Sequence, residues 1–397
     1  MFALSRMGGP WSRAQAVAGA LQRAGHRALL GVAADGNCTN PCVPETIHLP
    51  TPVPLGLPMA VASRTFPLAE RLGISGRKPV RSFEEVLWLT GALAYGYERE
   101  SVGLLCDIID SLAIEAVYSE YSLPAIIAAR ASGVSAFGSF SFTTRTAFAS
   151  DAVKAGGVRR LLHELGLPKV ESSLELFDWL DRRFVPSCRE LEPIEDARTE
   201  FVGFLREMPE PSDGDRDCIL IYLGTGSVPQ RRIEAVTTAA LRDCGCDVYV
   251  GGCTREHREG NLHFAPRFDF ASLLPRARCL IHHGGQNSTM DAFANAVPQV
   301  IVPGRIFERI YNAQSVERAG VGVRLKSFET DALRDACRRV TCEPSFVETS
   351  RALRRTLSAG GGAARIVSSI EQVSSRQEPL SRAHTPGAAW CERPRAL

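Results

Sequence analysis

The chain has 397 residues, enough for two or three domains that each bury a substantial apolar core. Apolar residues make up 45% of it and charged residues 23%, which is ordinary globular usage and excludes a disordered or fibrous protein. The 46 Lys and Arg and the 44 Asp and Glu leave a net charge of +2 with no basic run, which argues against a protein that binds nucleic acid.

Location and metal content follow from the same inventory. No apolar run approaches the roughly 20 residues that cross a bilayer, and residues 1–6 do not resemble a signal peptide, so we expect a cytoplasmic protein without integral membrane association. The 12 cysteines are scattered, which indicates free thiols. The two closest groups, Cys38 with Cys42 and Cys244 with Cys246 and Cys253, lack zinc-site spacing, so we expect no metal.

Apolar runs alternate with helical patterns through the first half of the chain. An apolar stretch at residues 2–5 is followed by a glycine-containing turn, an amphipathic helix pattern over about residues 12–24 and a second apolar run at 29–32. The same order recurs at residues 116–118 and 134–137, which flank another predicted helix. This order is typical of parallel βαβ units.

The second half repeats the pattern. An apolar run at residues 218–223 leads through a turn at 224–227 into a predicted helix over about 230–242. Further apolar runs, each before a turn and a helical segment, lie at residues 248–250, 279–281 and 299–302. Continuous apolar strands separated by helices predict a sheet that is covered on both faces.

These patterns predict an α/β fold of two doubly wound, Rossmann-like domains that face each other across a cleft. The first spans residues 1–207, the acidic, proline-bearing stretch 208–216 is the linker, and the second spans residues 217–373. Residues 374–397 mix Pro, Arg, Ser and Gly without a period and are expected to be a disordered tail. Open parallel sheets bind ligands at the carboxyl ends of their strands, so the site should lie between the domains.

A candidate anion site begins where the strand at 279–281 ends. Residues 282–291, His-His-Gly-Gly-Gln-Asn-Ser-Thr-Met-Asp, lead into a helix that Ser288 and Thr289 are placed to cap. A helix N-terminus with glycines, hydroxyls and an imidazole suits a diphosphate, and Asp291 could accept hydrogen bonds from ribose hydroxyls. The alternative is an ordinary glycine turn with structural histidines.

The run from about residue 273 to 322 resembles the nucleotide-sugar signature of inverting GT-B glycosyltransferases. It contains residues 282–291 and a second segment, 303–313, and weaker similarities extend over most of the chain. Related families are the natural-product glycosyltransferases and the peptidoglycan lipid-intermediate glycosyltransferase. The resemblance implies a GT-B fold and sugar transfer from a UDP- or TDP-sugar to a small-molecule acceptor, without a cofactor or an obligatory metal.

The resemblance also implies roles for residues of the second half. His283 would contact the α-phosphate of the donor and stabilise the leaving diphosphate, Asp291 would hold the ribose, and the backbone of Phe268 would meet the base. Glu308 and Arg309 occupy the positions that grip the sugar hydroxyls, where the family has an acidic residue followed by Gln. The other donor-binding positions are Gly224, Thr225, Gly226, Ser227, Gly284, Gly285, Gln286, Asn287, Ser288 and Thr289.

Arginine in place of glutamine bears on the donor sugar. A guanidinium presents a planar fork that matches a carboxylate, so Arg309 favours a sugar with an acid group, such as UDP-glucuronic acid. Alternatively, Arg309 pairs with Glu308 or with the diphosphate and says nothing about the sugar.

The first half departs from the family at the general base. Pro10 stands where natural-product members place a catalytic His. The candidate acceptor-binding residues around it are Arg6, Trp11, Ser12 and Arg13. Glu120, at the end of a predicted strand, could act as the base on an acceptor more acidic than an alcohol, such as a ring N–H, or could cap the following helix. His163 could also approach the acceptor, although a core position suits its apolar helix better.

An acidic sugar and a nitrogen acceptor would together suit a nucleobase glucuronosyltransferase of the kind that builds cytosylglucuronic acid for nucleoside antibiotics. Two other functions stay open: a nucleotide-sugar 2-epimerase, which would need several acidic residues near the sugar, and a non-catalytic partner protein with a decayed glycosyltransferase fold. Incubation with a UDP-sugar alone separates the three, because they predict slow hydrolysis, epimer formation and no binding. The sequence does not indicate an oligomeric state.

Overall fold

Two seven-stranded sheets form the framework of the protein in a computed structural model. The structure describes residues 2–3, 8–33, 45–53, 79–148, 152–206, 208, 214–224 and 228–375. The first sheet contains β1 (Phe2–Ala3), β2 (Leu29–Ala33), β3 (Glu45–Leu49), β4 (Ala116–Glu120), β5 (Ser135–Ser139), β6 (Arg182–Val185) and β7 (Thr199–Phe201). Its strand order is β3-β2-β1-β4-β5-β6-β7, and all of these pairs are parallel.

Helices between these strands cover the first sheet. They are α1 (Gly8–Arg23), α2 (Phe83–Leu89), α3 (Tyr95–Ser111), α4 (Leu123–Ala131) and α5 (Gly156–Glu164). Two starts follow directly from the sequence. The side chain of Ser82 accepts a hydrogen bond from the backbone N–H of Glu85 and caps α2. Pro124 lies in the first turn of α4, where its missing N–H costs nothing.

The second sheet contains β8 (Cys218–Tyr222), β9 (Asp247–Gly251), β10 (His257–Glu259), β11 (Leu262–Ala265), β12 (Ala277–His282), β13 (Gln299–Ile301) and β14 (Gly322–Arg324). Its order is β10-β11-β9-β8-β12-β13-β14, and the hairpin β10–β11 is its antiparallel pair. Its helices are α6 (Gln230–Leu241), α7 (Phe270–Leu273), α8 (Gln286–Ala294), α9 (Phe307–Arg318), α10 (Thr330–Cys342) and α11 (Pro344–Ser358), and α12 (Gly362–Ser374) follows.

Strand β8 shows why the central strands are apolar throughout. Ile219 and Ile221 belong to the core on one face of the sheet, and Cys218 and Leu220 belong to the core on the other. Because successive side chains point to opposite faces, a strand covered on both sides needs an unbroken apolar run. The predicted α/β class with parallel sheets is confirmed.

The chain returns to the first domain at its end. Ile366, Val367 and Ile370 of α12 share a buried cluster with Val17 and Ala20 of α1. The sequence prediction placed residues up to 373 in the second domain, because a helical pattern does not identify the face on which the helix docks. Residues 209–213 of the predicted linker and 376–397 of the predicted tail lie outside the described residues.

Close backbone contacts join the two domains where the chain returns to the first domain, between α11 and α12. Gly203 has a φ of +63°, and a Cβ atom there would overlap the carbonyl of Leu357 at the end of α11. The N–H of Gly362 donates to the carbonyl of Val202 at 2.8 Å. Within the described part of the chain, no helix is long and apolar enough to span a membrane, and no His, Cys, Asp and Glu cluster could hold a metal ion.

Candidate functional site

The candidate donor site lies at the carboxyl edge of the second sheet. Strands β8 and β12 are parallel neighbours in which Tyr222 is in register with His282. The residues that follow them, Gly224 and His283, therefore come together at this edge. The structure thus brings the predicted turn after β8 next to the motif at 282–291, while Thr225, Gly226 and Ser227 lie outside the described residues.

Two glycines form a slot for the imidazole of His283. A Cβ atom at Gly224 would lie 3.2 Å from the Nδ1 of His283, and one at Gly285 would lie 2.6 Å from its Nε2. Gly224 also has a φ of +65°, which other residues rarely adopt. The glycines on both sides are therefore needed to admit the ring.

Burial, reinforced by the nearby charge of Arg309, lowers the pKa of His283 to about 4. The imidazole is therefore neutral at physiological pH and can donate one hydrogen bond. Its Nδ1 is buried and has no hydrogen-bond partner among the described residues.

The adjacent His282 has a different role. It is fully buried, its Nε2 lies 2.9 Å from the Oε1 of Gln299, and its Nδ1 accepts the N–H of Gly284 at 3.1 Å. Burial lowers its pKa to about 3. With both ring nitrogens engaged, His282 fixes the turn that presents His283.

Helix α8 begins at the cleft without a side-chain cap. Its N-cap is Gly285, and no side-chain hydrogen bond to the cap is formed within the described residues. The prediction that Ser288 and Thr289 cap the helix is wrong, because both lie inside its first turn and the Thr289 hydroxyl donates back to the Gly285 carbonyl at 3.1 Å. The first intrahelical bond comes from the N–H of Thr289, which leaves the N–H groups of Gln286, Asn287 and Ser288 for an anion.

Asn312 of α9 supports the turn, and the sequence analysis missed it. Its Nδ2 donates to the carbonyl of Gly284 at 2.8 Å. Gly284 has a φ of +85°, and a Cβ atom there would lie 2.9 Å from the carbonyl oxygen of Arg309. The Asn-Ala pair that follows Glu308 and Arg309 was the available sequence signal.

Glu308 and Arg309, the predicted sugar-binding pair, occupy the first turn of α9, and Arg309 is close enough to His283 for its charge to lower the pKa of that imidazole. Glu308 is exposed at its surface, but desolvation by the surrounding protein raises its pKa, whereas the positive charges of Arg13 and Arg309 act to lower it. Burial lowers the pKa of Arg309, and Glu308 opposes this. Arg13 of the first domain and Glu308 of the second thus interact electrostatically across the cleft.

The predicted nucleoside contacts already have protein partners. A carboxylate oxygen of Asp291 accepts a hydrogen bond from Arg206 at 2.9 Å, and both side chains are about half exposed. The carbonyl of Phe268 accepts the N–H of Phe270 at 3.0 Å. A ribose at Asp291 would have to share or displace Arg206.

An aromatic wall beside His283 was not predicted. Tyr222 is 37% exposed, and its ring meets the ring of His283 edge-on at 5.9 Å and that of Phe270 at 6.1 Å. The ring of Phe268 packs edge-on against that of Tyr249, with the ring centroids 5.3 Å apart. Tyr222 ends an otherwise apolar strand, so nothing in the sequence distinguishes it from a core residue.

Glu120 is buried at the facing edge of the first sheet. Its carboxylate accepts a hydrogen bond from Arg13 Nε at 2.5 Å and one from the Ser139 hydroxyl at 2.5 Å, and the Tyr118 hydroxyl lies 2.9 Å from that of Ser139. These contacts bind Glu120 to α1 and β5, so it does not serve as the cap of α4. Burial raises its pKa, and Arg13 is the main opposing influence.

Arg13 projects from α1, where Trp11 and Ser12 also lie. Burial disfavours its charge, but Glu120 reverses this and raises its pKa above the ordinary value. Its guanidinium also lies 5.5 Å from the ring centroid of Tyr121. Helix α1 begins at Gly8, so Pro10 is inside the helix rather than in the expected turn, and Arg6 lies outside the described residues.

His163 does not belong to the core. It is exposed on the last turn of α5, while the adjacent Leu161 and Leu162 are buried. The preferred interpretation of His163 as a core residue is wrong, because the position after two buried leucines points outward on this helix.

Contacts from the first domain position the start of α9. Val80 forms a parallel bridge with Ile306, and its carbonyl accepts the N–H of Phe307 at 2.9 Å. The ring of Phe142 stacks on that of Tyr311 at 5.1 Å. The helix that carries Glu308 is therefore held from both domains.

Together, the two facing sheets and the site between them define the GT-B class of glycosyltransferase fold. The calicheamicin glycosyltransferase CalG4 has a solved structure similar to this one, with a TM-score of 0.72 at 17% identity, covering 95% of this chain and 98% of that one. The spinosyn rhamnosyltransferase SpnG gives a TM-score of 0.68 at 14% identity, and the match covers 93% of this chain and 99% of that one. The predicted GT-B fold is confirmed.

The sequence comparisons narrow this class. Residues 255–373 match the family model of the C-terminal domain of erythromycin biosynthesis protein CIII-like proteins. The chain is 38% identical over 89 residues to aclacinomycin-T 2-deoxy-L-fucose transferase of Streptomyces galilaeus, 22% of this chain and 20% of that protein. It is 29% identical over 192 residues to the NDP-glycosyltransferase YjiC of Bacillus licheniformis, a match that covers 44% of this chain and 48% of that protein. The chain thus spans less than half the length of these relatives. The resemblance to antibiotic glycosyltransferases is confirmed.

Proposed function

We propose that the protein is an inverting glycosyltransferase that moves a sugar from a nucleoside diphosphate to a small natural-product acceptor. The observation that carries this proposal is the position of the His283 imidazole, held between Gly224 and Gly285 beside the uncapped start of α8. That arrangement suits a diphosphate. Solved structures of SpnG are described as complexes with thymidine diphosphate and with the spinosyn aglycone, which supports a donor and an acceptor of these kinds.

In the proposed reaction, the bond between the anomeric carbon and the diphosphate oxygen breaks through a state with oxocarbenium character. Negative charge then accumulates on the diphosphate. An N–H of His283 and the backbone N–H groups at the start of α8 stabilise that charge, and Arg309 adds a positive charge nearby. Attack from the opposite face of the sugar inverts the anomeric centre. In this proposal these groups stabilise the leaving diphosphate without a metal ion, so we expect activity to survive treatment with EDTA.

Glu120 is our candidate for the general base. Because its oxygens hold Arg13 and Ser139, an incoming acceptor has to replace one of these partners before it can give up its proton. A ring N–H or another acidic group suits this arrangement, because a carboxylate is a weak base for an alcohol even where burial raises its pKa. A nucleobase such as cytosine, in nucleoside-antibiotic biosynthesis, remains our proposal for the acceptor.

Two donor classes compete at Glu308 and Arg309. Arg309 favours an acidic sugar such as that of UDP-glucuronic acid. Glu308, exposed in the cleft, favours a cationic amino sugar instead. Two similar proteins from Streptomyces species are named for the transfer of amino sugars: an aklavinone 7-β-L-rhodosaminyltransferase and a 10-deoxymethynolide desosaminyltransferase. We propose the acidic sugar and treat the amino sugar as the alternative.

A donor panel tests both the reaction and the sugar. The protein is incubated with UDP-glucuronic acid, UDP-glucose and a TDP-amino sugar, and thermal midpoints and released nucleotide are measured. Slow release of nucleoside diphosphate supports the transferase, an epimerised donor would favour a 2-epimerase, and no shift with any donor would favour a non-catalytic protein.

Arg309→Gln separates the donors. If the acidic sugar is correct, this change weakens UDP-glucuronic acid about tenfold and leaves UDP-glucose nearly unchanged, a difference of about 1.4 kcal/mol. Arg338→Gln, on the exposed face of α10, is the matched control. Equal weakening of both donors would assign Arg309 to the diphosphate, and stronger binding of the amino sugar would favour the alternative.

A further inference from the structure

A pair of thiols lies in the turn between α6 and β9, at the amino end of β9 and so at the opposite edge of the sheet from the cleft. The Sγ atoms of Cys244 and Cys246 are 3.7 Å apart, and both residues are partly exposed. Gly245 between them has a φ of +76° and open space where a Cβ would be. This left-handed glycine turns the two cysteines toward each other.

Neighbouring side chains hold this turn in place. The Nδ2 of Asn261, from the β10–β11 hairpin, donates to the carbonyl of Cys246 at 2.8 Å and lies 3.5 Å from the Sγ of Cys244. The hydrogen bond from Cys246 lowers the pKa of Cys244, and Asn261 acts in the same direction. Cys244 is therefore the member of the pair that is more easily ionised, and a thiolate is the reactive form of cysteine.

The other described cysteines differ from this pair in exposure or in number. Five are buried, namely Cys188, Cys218, Cys253, Cys279 and Cys337, while the partly exposed Cys106 and the exposed Cys342 are single thiols. Only a pair that is both accessible and close can react with a dissolved oxidant and then close on itself. Among the described residues, Cys244 and Cys246 meet both conditions.

We propose that Cys244 and Cys246 are a reversible redox site that a peroxide oxidises to a disulfide. The Cys244 thiolate attacks one peroxide oxygen, forming a sulfenic acid and releasing hydroxide, which takes up a proton as water. The Cys246 thiol then attacks the sulfenic sulfur, the S–S bond forms, and a second water leaves. Two thiols lose two electrons and two protons in total, and the peroxide is reduced to two waters.

The geometry requires only a small movement. A disulfide has its sulfurs about 2.05 Å apart, so the two Sγ atoms approach by roughly 1.7 Å. The open surroundings of Gly245 leave room for the turn to adjust. Because the turn is remote from the cleft, we expect sugar transfer to change by less than about twofold on oxidation, which makes this site independent of the proposed function.

The experiment treats the reduced full chain with a small excess of hydrogen peroxide, blocks remaining thiols with iodoacetamide and examines the peptide of residues 243–255 by mass spectrometry. The expected product has lost two hydrogens and carries one alkyl group, on Cys253. We expect the Cys244–Cys246 pair to oxidise roughly tenfold faster than the single exposed Cys342. If the oxidised protein is reduced with a thiol before alkylation, all three cysteines of this peptide should become alkylated.

Two variants complete the test. Cys253→Ser should still form the disulfide, whereas Cys246→Ser should give a Cys244 sulfenic acid that dimedone traps. Alkylation of both Cys244 and Cys246 after Cys342 has been oxidised would overturn the proposal, and so would a disulfide that engages Cys253. Circular dichroism of each variant confirms that it is folded.

Discussion

The two sheet edges that face the cleft share a topology but handle polar groups in opposite ways. At the edge of the first sheet, Glu120 is fully buried and both of its oxygens are occupied, by Arg13 and Ser139. At the edge of the second sheet, the Nδ1 of His283 has no partner among the described residues, and α8 starts without a side-chain cap. The polar groups at the first edge are hydrogen-bonded within the protein, whereas the second edge presents hydrogen-bond donors for a ligand.

The difference shows how each edge would take part in a reaction. Donors fixed in advance stabilise charge without reorganisation, which is what our proposal requires of the edge that would bind the diphosphate. The satisfied edge must exchange a partner before Glu120 can act, so its chemistry depends on what binds there. We therefore expect changes at the two edges to have different signatures.

Glu120→Gln probes the satisfied edge and has the largest expected effect. If Glu120 is the base, turnover falls by about 10³-fold, within the range for loss of a general base. Its pKa is raised, so activity of the native protein should decline as the pH falls through a value above that of an ordinary Glu, and the variant should lack this limb. The pH profile of kcat/KM is the measurement.

A folding control is needed for that variant, because it leaves the Arg13 guanidinium without its partner charge. Glu120→Asp keeps the charge, and we expect it to keep the acid limb at reduced turnover. If Glu120→Gln is folded and retains both normal turnover and the limb, Glu120 only anchors Arg13.

His283→Ala probes the open edge. We expect turnover to fall by about 10²-fold, since one donor to the developing charge is lost. The pH profile should keep its shape, because the native imidazole, with a pKa of about 4, is already neutral. Steady-state turnover with a saturating donor checks this, and an active variant with normal turnover would remove His283 from the mechanism.

The buried His282 predicts a pH dependence of stability. Its pKa is about 3 in the folded protein and about 6.5 when unfolded, so the unfolded chain takes up a proton first as the pH falls. The free energy of unfolding should then decrease below about pH 6.5, by about 2 kcal/mol at pH 5.

Urea titrations of the native protein and of His282→Gln isolate this effect. The variant should lose less stability between pH 7 and pH 5 than the native protein does. Glu192 acts in the opposite direction, because burial raises its pKa to about 7 and proton uptake stabilises its folded form, but this contribution is common to both proteins. Parallel curves for the two proteins would contradict the role of His282.

Gly285→Ala tests the slot with the smallest change. The backbone of Gly285 suits alanine, with φ −66° and ψ 143°, but the new Cβ would lie 2.6 Å from the Nε2 of His283. We expect the displaced ring to lower turnover about tenfold, about 1.4 kcal/mol of transition-state stabilisation. Gly96→Ala, on α3 with open space around it, is the control. Equal turnover of the two variants would show that the ring position is not critical.

Sequence reasoning found the features that are local. Buried parallel strands are visible as apolar runs, and a strand followed by glycines and a helix predicts a candidate anion site. The choice of His283 over His282 rested on the family resemblance, and the structure separates the two by their contacts: His282 is hydrogen-bonded to Gln299 and Gly284, whereas His283 lies between Gly224 and Gly285.

Features that depend on distant parts of the chain were not predicted. Arg13 and Glu120 are 107 residues apart, so their pairing is invisible until the sheet brings them together. Tyr222 looks like a core residue until the strand end leaves it exposed. The N-cap of α8 was misplaced because capping depends on where the backbone begins to turn, which the presence of a serine or threonine does not fix.

The return of α12 to the first domain has a consequence for dividing the molecule. Fragments covering residues 1–208 and 214–397 would separate Val17 and Ala20 of α1 from Ile366, Val367 and Ile370. Each fragment would then expose an apolar strip to water, and burying it again favours reassembly. We expect the two halves to be poorly soluble when expressed singly and to recover as a complex when produced in the same cell.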